Sequence, residues 1–276
     1  MRKCELAAWS LLVLAASISS AVAQPTGPPM NPSSGGGGSS APRQISFNNP
    51  PASPHDYDCE FASLCSGWSL YTANTAMDAG TVSPISTATG NPIYDFTTRP
   101  GWMLLQSDDT NVVVSGVKRA SMTMATQATF FAHFNTTLRD MGASEGEIGF
   151  GLFNSTDANE WVYVGLSSGV GNLYGYVGKQ DNGSTSYALR AWPGDLQYGT
   201  GDLWFAIVKD SNKYHFWAWT ADNGFPHYLY SYDKTGVTTF DEVRFYIVSS
   251  DDSPRHIYGI DFFRYYASAT FALSNP

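Results

Sequence analysis

The chain is 276 residues long, with a formal net charge of −9 and 14% charged residues against 43% hydrophobic and 14% aromatic. That apolar content can fill a core, so disorder throughout is excluded. The acidic, lysine-poor balance argues against a basic surface for nucleic acid or anionic membrane. Neutral polymers suit such a surface better.

Residues 1–23 read as a secretion signal. Arg2 and Lys3 form a charged start, Leu6 to Ile18 is mostly apolar, and Ala21-Val22-Ala23 precedes Gln24 as a small-x-small cleavage site. The apolar run is shorter than the roughly 20 residues a spanning helix needs. A retained anchor or a virion protein with a signal-like leader is the alternative. No later stretch is apolar enough to insert into a membrane, so a secreted, extracellular or cell-surface protein is expected. Residues 24–55 (PTGPP, NPSSGGGGSSAP, NNPPASP) are a Pro/Gly/Ser-rich linker with nothing to bury. A folded domain is expected over 56–268, with 269–276 as a tail. Cys4 leaves with the signal, and Cys59 and Cys65 remain. An even pair in an oxidising compartment predicts a disulfide rather than free thiols.

From there the chain is a succession of short β-patterns bounded by Gly, Asp, Asn and Ser. They fall at Trp68–Tyr71, Trp102–Gln106, Val112–Val117, Ser121–Thr126 and Thr129–Phe134. Three more lie within Glu145–Gly178, followed by Thr185–Arg190, Leu203–Lys209, Tyr214–Thr220, His227–Tyr232, Val243–Ser249 and Ile257–Tyr265. No segment has a helical period. Many short strands without βαβ alternation predict an all-β fold, a two-sheet antiparallel sandwich.

Asp58-Cys59-Glu60-Phe61 followed by Leu64-Cys65-Ser66-Gly67-Trp68 resembles the opening of MAM domains, although the second cysteine pair of those domains is absent. Tyr258-Gly259-Ile260-Asp261-Phe262-Phe263-Arg264 resembles the last strand of many concanavalin A-like folds, and EIGFGLFNSTDANEWVYVGL is similar to laminin-G-like modules. Together these resemblances imply a concanavalin A-like jelly roll. Similar sandwiches occur in phage tail and fibre proteins.

Aromatic residues at i, i+2 spacing form the first candidate site: Trp161/Tyr163, Tyr174/Tyr176, His215/Trp217/Trp219 and Tyr228/Tyr230/Tyr232. If their strands share a sheet, one face is aliphatic and buried and the other is an aromatic platform on which sugar rings stack. Gly149 and Gly151 would leave room for a ligand. The competing reading is that these rings belong to the core. A second candidate is Glu145 with Glu147. Laminarinase-type hydrolases of the resembled fold carry Glu-x-Asp-x-Glu, but Gly149 stands here where the third acid would be, so the enzyme reading is disfavoured. Third, Asp108/Asp109, Asp157 and Asp251/Asp252 lie in oxygen-rich loops of the kind calcium favours, or in ordinary turns. The five histidines show no metal-binding spacing. The leading expectation is therefore a secreted, non-catalytic module that binds a glycan or other extracellular polymer, with no cofactor beyond possible calcium. Homo-oligomers or assembly partners stay open. A structural or receptor-binding virion protein and a polysaccharide hydrolase or lyase are the alternatives.

Overall fold

The computed structural model describes residues 55–72, 77–81, 91–107, 114–136, 146–169, 172–181, 183–191, 201–220, 227–235, 239–249 and 256–267. The leader, most of the linker, the C-terminal tail, Glu145 and the loops carrying Asp108, Asp109, Asp251 and Asp252 lie outside them.

The strands are β1 (Trp68–Thr72), β2 (Asp78–Ala79), β3 (Ile93–Asp95), β4 (Met103–Gln106), β5 (Ser115–Arg119), β6 (Gln127–Asn135), β7 (Gly146–Phe153) and β8 (Trp161–Gly169). They continue with β9 (Asn172–Asp181), β10 (Ser184–Ala191), β11 (Asp202–Asp210), β12 (Lys213–Thr220), β13 (His227–Asp233), β14 (Glu242–Ser249) and β15 (Ile257–Tyr266). They form a seven-stranded sheet, β1-β5-β14-β7-β8-β9-β10, and an eight-stranded sheet, β13-β12-β11-β6-β15-β4-β3-β2. Pairing is antiparallel except between β2 and β3. The fold is thus all-β and sandwich-like, which is coarser than the jelly roll the resemblances imply.

Period-two alternation builds the core. Ile148, Phe150 and Leu152 of β7 and Val162, Val164 and Leu166 of β8 point inward from one sheet; Phe130, Ala132 and Phe134 of β6 and Phe205 and Ile207 of β11 point inward from the other. Phe134 sits at the junction, with ring centroids 5.4 Å from Phe205 and from Phe245 and 5.6 Å from Tyr258. Burying each such ring contributes about 1.5–3 kcal/mol.

Cys59 and Cys65 form the expected disulfide, with their Cα atoms 5.7 Å apart. The short loop they close holds Phe61 at a left-handed φ of 45°, a conformation a bulky residue adopts only when its surroundings impose it. The result is a fully buried ring against Trp68 at 5.0 Å and Phe245 at 5.5 Å.

Several expectations need correcting. Residues 121–126 are not a strand: Ser121 takes a left-handed φ of 57°, which breaks the extended run. β2 and β3 have two and three residues, too short to leave a periodic signal. Gly149 and Gly151 do not clear space for a ligand. A β-carbon at Gly149 would lie 2.3 Å from the Val164 carbonyl oxygen, and one at Gly151 would lie 2.6 Å from Tyr163 Cβ. These glycines let the backbone of β8 and the hydroxyl of Tyr246 approach β7 closely, and Gly178 of β9 does the same for the ring of Tyr163.

Candidate functional site

The outward face of the eight-stranded sheet gathers a histidine, two aspartates and several aromatic rings. On β6, with Phe130, Ala132 and Phe134 turned inward, alternation turns Phe131, His133 and Asn135 outward. His133 pairs in register with Trp204 of β11, and Asn135 with Asp202. Rings at directly opposed positions meet: His133 and Trp204 stack with centroids 4.4 Å apart and planes 3° from parallel. Trp102 approaches the other flank of His133 at 5.1 Å, and Phe262 closes a third side at 5.4 Å. Gly259 makes room for Trp102, since a β-carbon there would stand 3.0 Å from the indole.

Asp261 reaches this face through a β-bulge. Ile260 pairs with Phe134 and Phe262 with His133, so Asp261 is the extra residue on β15. Such an insertion re-aims a side chain. The Asp261 carboxylate lies 2.7 Å from His133 Nδ1. Asp202 faces the other ring nitrogen, Nε2, at 3.3 Å without hydrogen-bond geometry. Its Oδ1 also accepts a 2.8 Å hydrogen bond from the Asn135 amide. One imidazole therefore stands between two carboxylates. His133 is sunk, its side chain only 10% exposed, while those of Asp202 and Asp261 are 39% and 29% exposed. Solvent, or a ligand, meets the acids first.

Cations and further rings border the cluster. The Arg99 guanidinium lies 3.8 Å over the Trp102 ring. Arg264 lies over Phe262 at 4.7 Å and is ion-paired with Glu60. On the β12–β13 side, Trp217 packs edge-on to Tyr228 at 5.0 Å, with His215 at 6.2 Å from the same ring. Tyr228 is, with Leu64, an exposed large hydrophobic residue among the described residues.

The expected aromatic platform is thus split. His215, Trp217 and Tyr228 are on the outer face of the eight-stranded sheet; Trp219 is the register partner of Trp204, its side chain outside the described residues. Trp161 and Tyr163 belong to the other sheet and are buried, 7% and 2% exposed. The Trp161 indole N–H donates to Gln180 Oε1 at 2.6 Å. Tyr174 and Tyr176 are also on that sheet, their side chains outside the described residues. Tyr230 and Tyr232 leave the platform because of a second bulge: Trp217 pairs with Tyr228 but Phe216 with Tyr230, which makes Leu229 the extra residue. Beyond it the tyrosines face the core, and the Tyr232 hydroxyl donates at 3.3 Å to the Val177 carbonyl of the opposite sheet. Glu147 lies half-buried on β7, away from His133, and Asp157 sits in an exposed turn. Among the described residues no cluster of His, Cys, Asp and Glu is arranged to hold a metal ion.

Trp102, His133, Asp202, Trp204 and Asp261 were not singled out by sequence reasoning as a site. The signal available was local: His133 alternates with Phe131 and Asn135, and Asp261 interrupts the alternation of β15.

No family model matches this chain, and no curated protein matches it. Among solved structures it is similar to the CBM2 module of the evolved Dit of Lactobacillus casei BL23 phage J-1. That likeness has a TM-score of 0.54 and 11% identity over 77% of this chain and 94% of that one. It is also similar to the GH43 protein BlXynB of Bacillus licheniformis (TM-score 0.45, 16% identity, 62% of this chain), and to the alginate lyase of Klebsiella pneumoniae (TM-score 0.42, 11% identity, 60% of this chain and 81% of that). The chain spans about a third of the GH43 protein, 34% of its length. At these identities the likeness is one of fold alone, an all-β sandwich that is not specifically a concanavalin A-like lectin. The expectation of a purely non-catalytic recognition module is corrected: the outer face sets the His133 imidazole between the Asp202 and Asp261 carboxylates, an acid–base arrangement.

Proposed function

We propose that this protein is a carbohydrate-active enzyme that hydrolyses a neutral polysaccharide on the outer face of its eight-stranded sheet. The observation that carries this reading is the Asp202–His133–Asp261 cluster set among aromatic rings. Trp204, Trp102 and Trp217 offer flat apolar surface to sugar rings. Asp202 and Asp261 sit on opposite edges of one imidazole, 3.3 Å from Nε2 and 2.7 Å from Nδ1, and are the more exposed members of the cluster. One carboxyl group protonates the departing glycosidic oxygen while the other activates water. His133, tied to Asp261 and wedged against Trp204, is a positioning residue that passes protons between them. The signal-like start of the chain supports an exported protein, with an extracellular polymer as substrate.

Arg99 over Trp102 supports a second reading. A cation beside the cluster would hold a uronate carboxylate while His133 removes the adjacent ring proton, which is lyase chemistry. The net charge of −9 weighs against an anionic substrate and places hydrolysis first.

One experiment separates them. The purified protein is incubated with neutral glucans, xylans, mannans and galactans and, in parallel, with polyuronates, with new reducing ends and ultraviolet absorbance of unsaturated ends both recorded. Reducing ends without absorbance, lost in Asp202→Asn and Asp261→Asn, are the expected result. Absorbing products from a polyuronate would establish the lyase. No cleavage by a folded protein on any polymer would overturn both.

A further inference from the structure

A second cluster lies away from this face, where the two sheets meet at one end of the sandwich. Lys234 follows β13, and its ammonium is fully buried. It contacts Glu160, at the entry to β8, and donates to the Gln180 carbonyl oxygen at 2.5 Å. It also lies 3.6 Å from Oδ1 of Asp181, the last residue of β9. Glu160 and Asp181 are themselves buried. Phe240 stacks over the ammonium at 5.4 Å, and Tyr214 lies close by against Phe240. Burial, and after it the charge of Glu160, push the Tyr214 phenol up.

The Asp181 carboxyl group is held asymmetrically. Its Oδ2 accepts hydrogen bonds from the Thr235 backbone N–H at 2.8 Å and the Thr235 hydroxyl at 3.0 Å, and faces the Lys179 ammonium at 3.4 Å. Donors converging on one oxygen form the kind of cradle that stabilises a tetrahedral intermediate. The other oxygen, Oδ1, is the one turned to Lys234.

We propose that Lys234 and Asp181 join in an intramolecular amide, making a covalent bridge between the two sheets. Lys234 Nζ attacks Asp181 Cγ, forming the N–C bond, while the negative charge gathers on Oδ2. Glu160 carries two protons from Nζ to Oδ1 in turn, the first before the attack, which frees the nitrogen lone pair, and the second once the N–C bond has formed. The Cγ–Oδ1 bond then breaks and water leaves. One ammonium and one carboxylate become one amide and one water, with no oxidant and no external reagent. Enforced proximity in a dry pocket supplies the drive.

The test is peptide mapping by mass spectrometry of the reduced, denatured protein. The expected product is a branched peptide joining the segments that contain Asp181 and Lys234, one water lighter than their sum. Lys234→Arg abolishes it. Asp181→Asn reaches the same product mass by expelling ammonia instead. Glu160→Gln keeps native circular dichroism but leaves the two segments separate. Recovery of both segments unlinked from the folded wild-type protein would overturn the proposal and leave Lys234 as the centre of a buried ion-pair network. A Glu160→Gln protein that still cross-links fully would overturn the role given to Glu160.

Discussion

The imidazole of His133 lies flat on the indole of Trp204, 4.4 Å between centroids and 3° from parallel, because the two residues are register partners on adjacent strands. Backbone pairing therefore fixes the ring plane, and the ring plane determines where Nδ1 and Nε2 present themselves to Asp261 and Asp202. Replacing His133 by Ala should lower kcat by about 10²–10⁴-fold, the usual range for loss of acid–base assistance. Steady-state kinetics on whichever polysaccharide is cleaved, with circular dichroism to establish folding, checks this. Retention of full kcat would exclude His133 from the reaction.

Trp204 and Trp217 should separate in their kinetics. Trp204→Ala removes the plate that orients His133 and is expected to reduce kcat. Among the described residues Trp217 packs edge-on to Tyr228 and makes no ring contact or hydrogen bond with the acid–base groups, so Trp217→Ala should raise KM by roughly five- to tenfold, the equivalent of about 1–1.4 kcal/mol of stacking, with kcat unchanged.

Alkaline stability should follow buried tyrosines. Burial raises the phenol of Tyr258 well above its ordinary value of 10.0, raises Tyr214 in the same direction, and pushes Tyr266 up to about 12. The folded state then keeps protons that the unfolded state loses, so stability falls as pH rises through 10 and continues to fall towards the raised values. Lys209, whose amine is lowered by burial, acts in the opposite sense just below 10.5, but it is one group against five, since burial raises Tyr71 and Tyr265 as well. Thermal melts across this range should show a falling Tm. In Tyr258→Phe the hydroxyl no longer donates to the Tyr246 carbonyl at 3.0 Å. That should cost about 0.5–1.5 kcal/mol at neutral pH and flatten the alkaline limb.

Opening the Cys59–Cys65 loop frees Phe61 from its left-handed conformation and loosens its ring among Trp68 and Phe245. For so short a loop the loss should be about 2–3 kcal/mol, a Tm decrease on the order of 5–10 °C. Melts with and without reductant, compared with the Cys59→Ser/Cys65→Ser protein, measure it.

Gly151→Ala should destabilise by about 1–3 kcal/mol, because the new β-carbon would lie 2.5 Å from the Val162 carbonyl oxygen. It should leave kcat unchanged, being on the seven-stranded sheet. A chemical-denaturation curve and an activity assay on the same sample check both halves.

The all-β class, most strand positions, the inward sets on β7 and β8 and the disulfide could be read from the sequence alone. Alternation and cysteine parity are local properties, and Ile148, Phe150 and Leu152 announce a buried face wherever their strand goes. Which sheet a strand joins is not local. Trp161/Tyr163 and His215/Trp217 share the same spacing, yet the first pair is buried on one sheet and the second lies half-exposed on the other. Two one-residue bulges then decided the rest. Leu229 turned Tyr230 and Tyr232 into the core, and Asp261 brought a carboxylate out beside His133. Residues 133, 202 and 261 are far apart in the chain, and only the adjacency of β11, β6 and β15 brings them together. That adjacency is a product of long-range hydrogen-bond pairing, which no local period encodes.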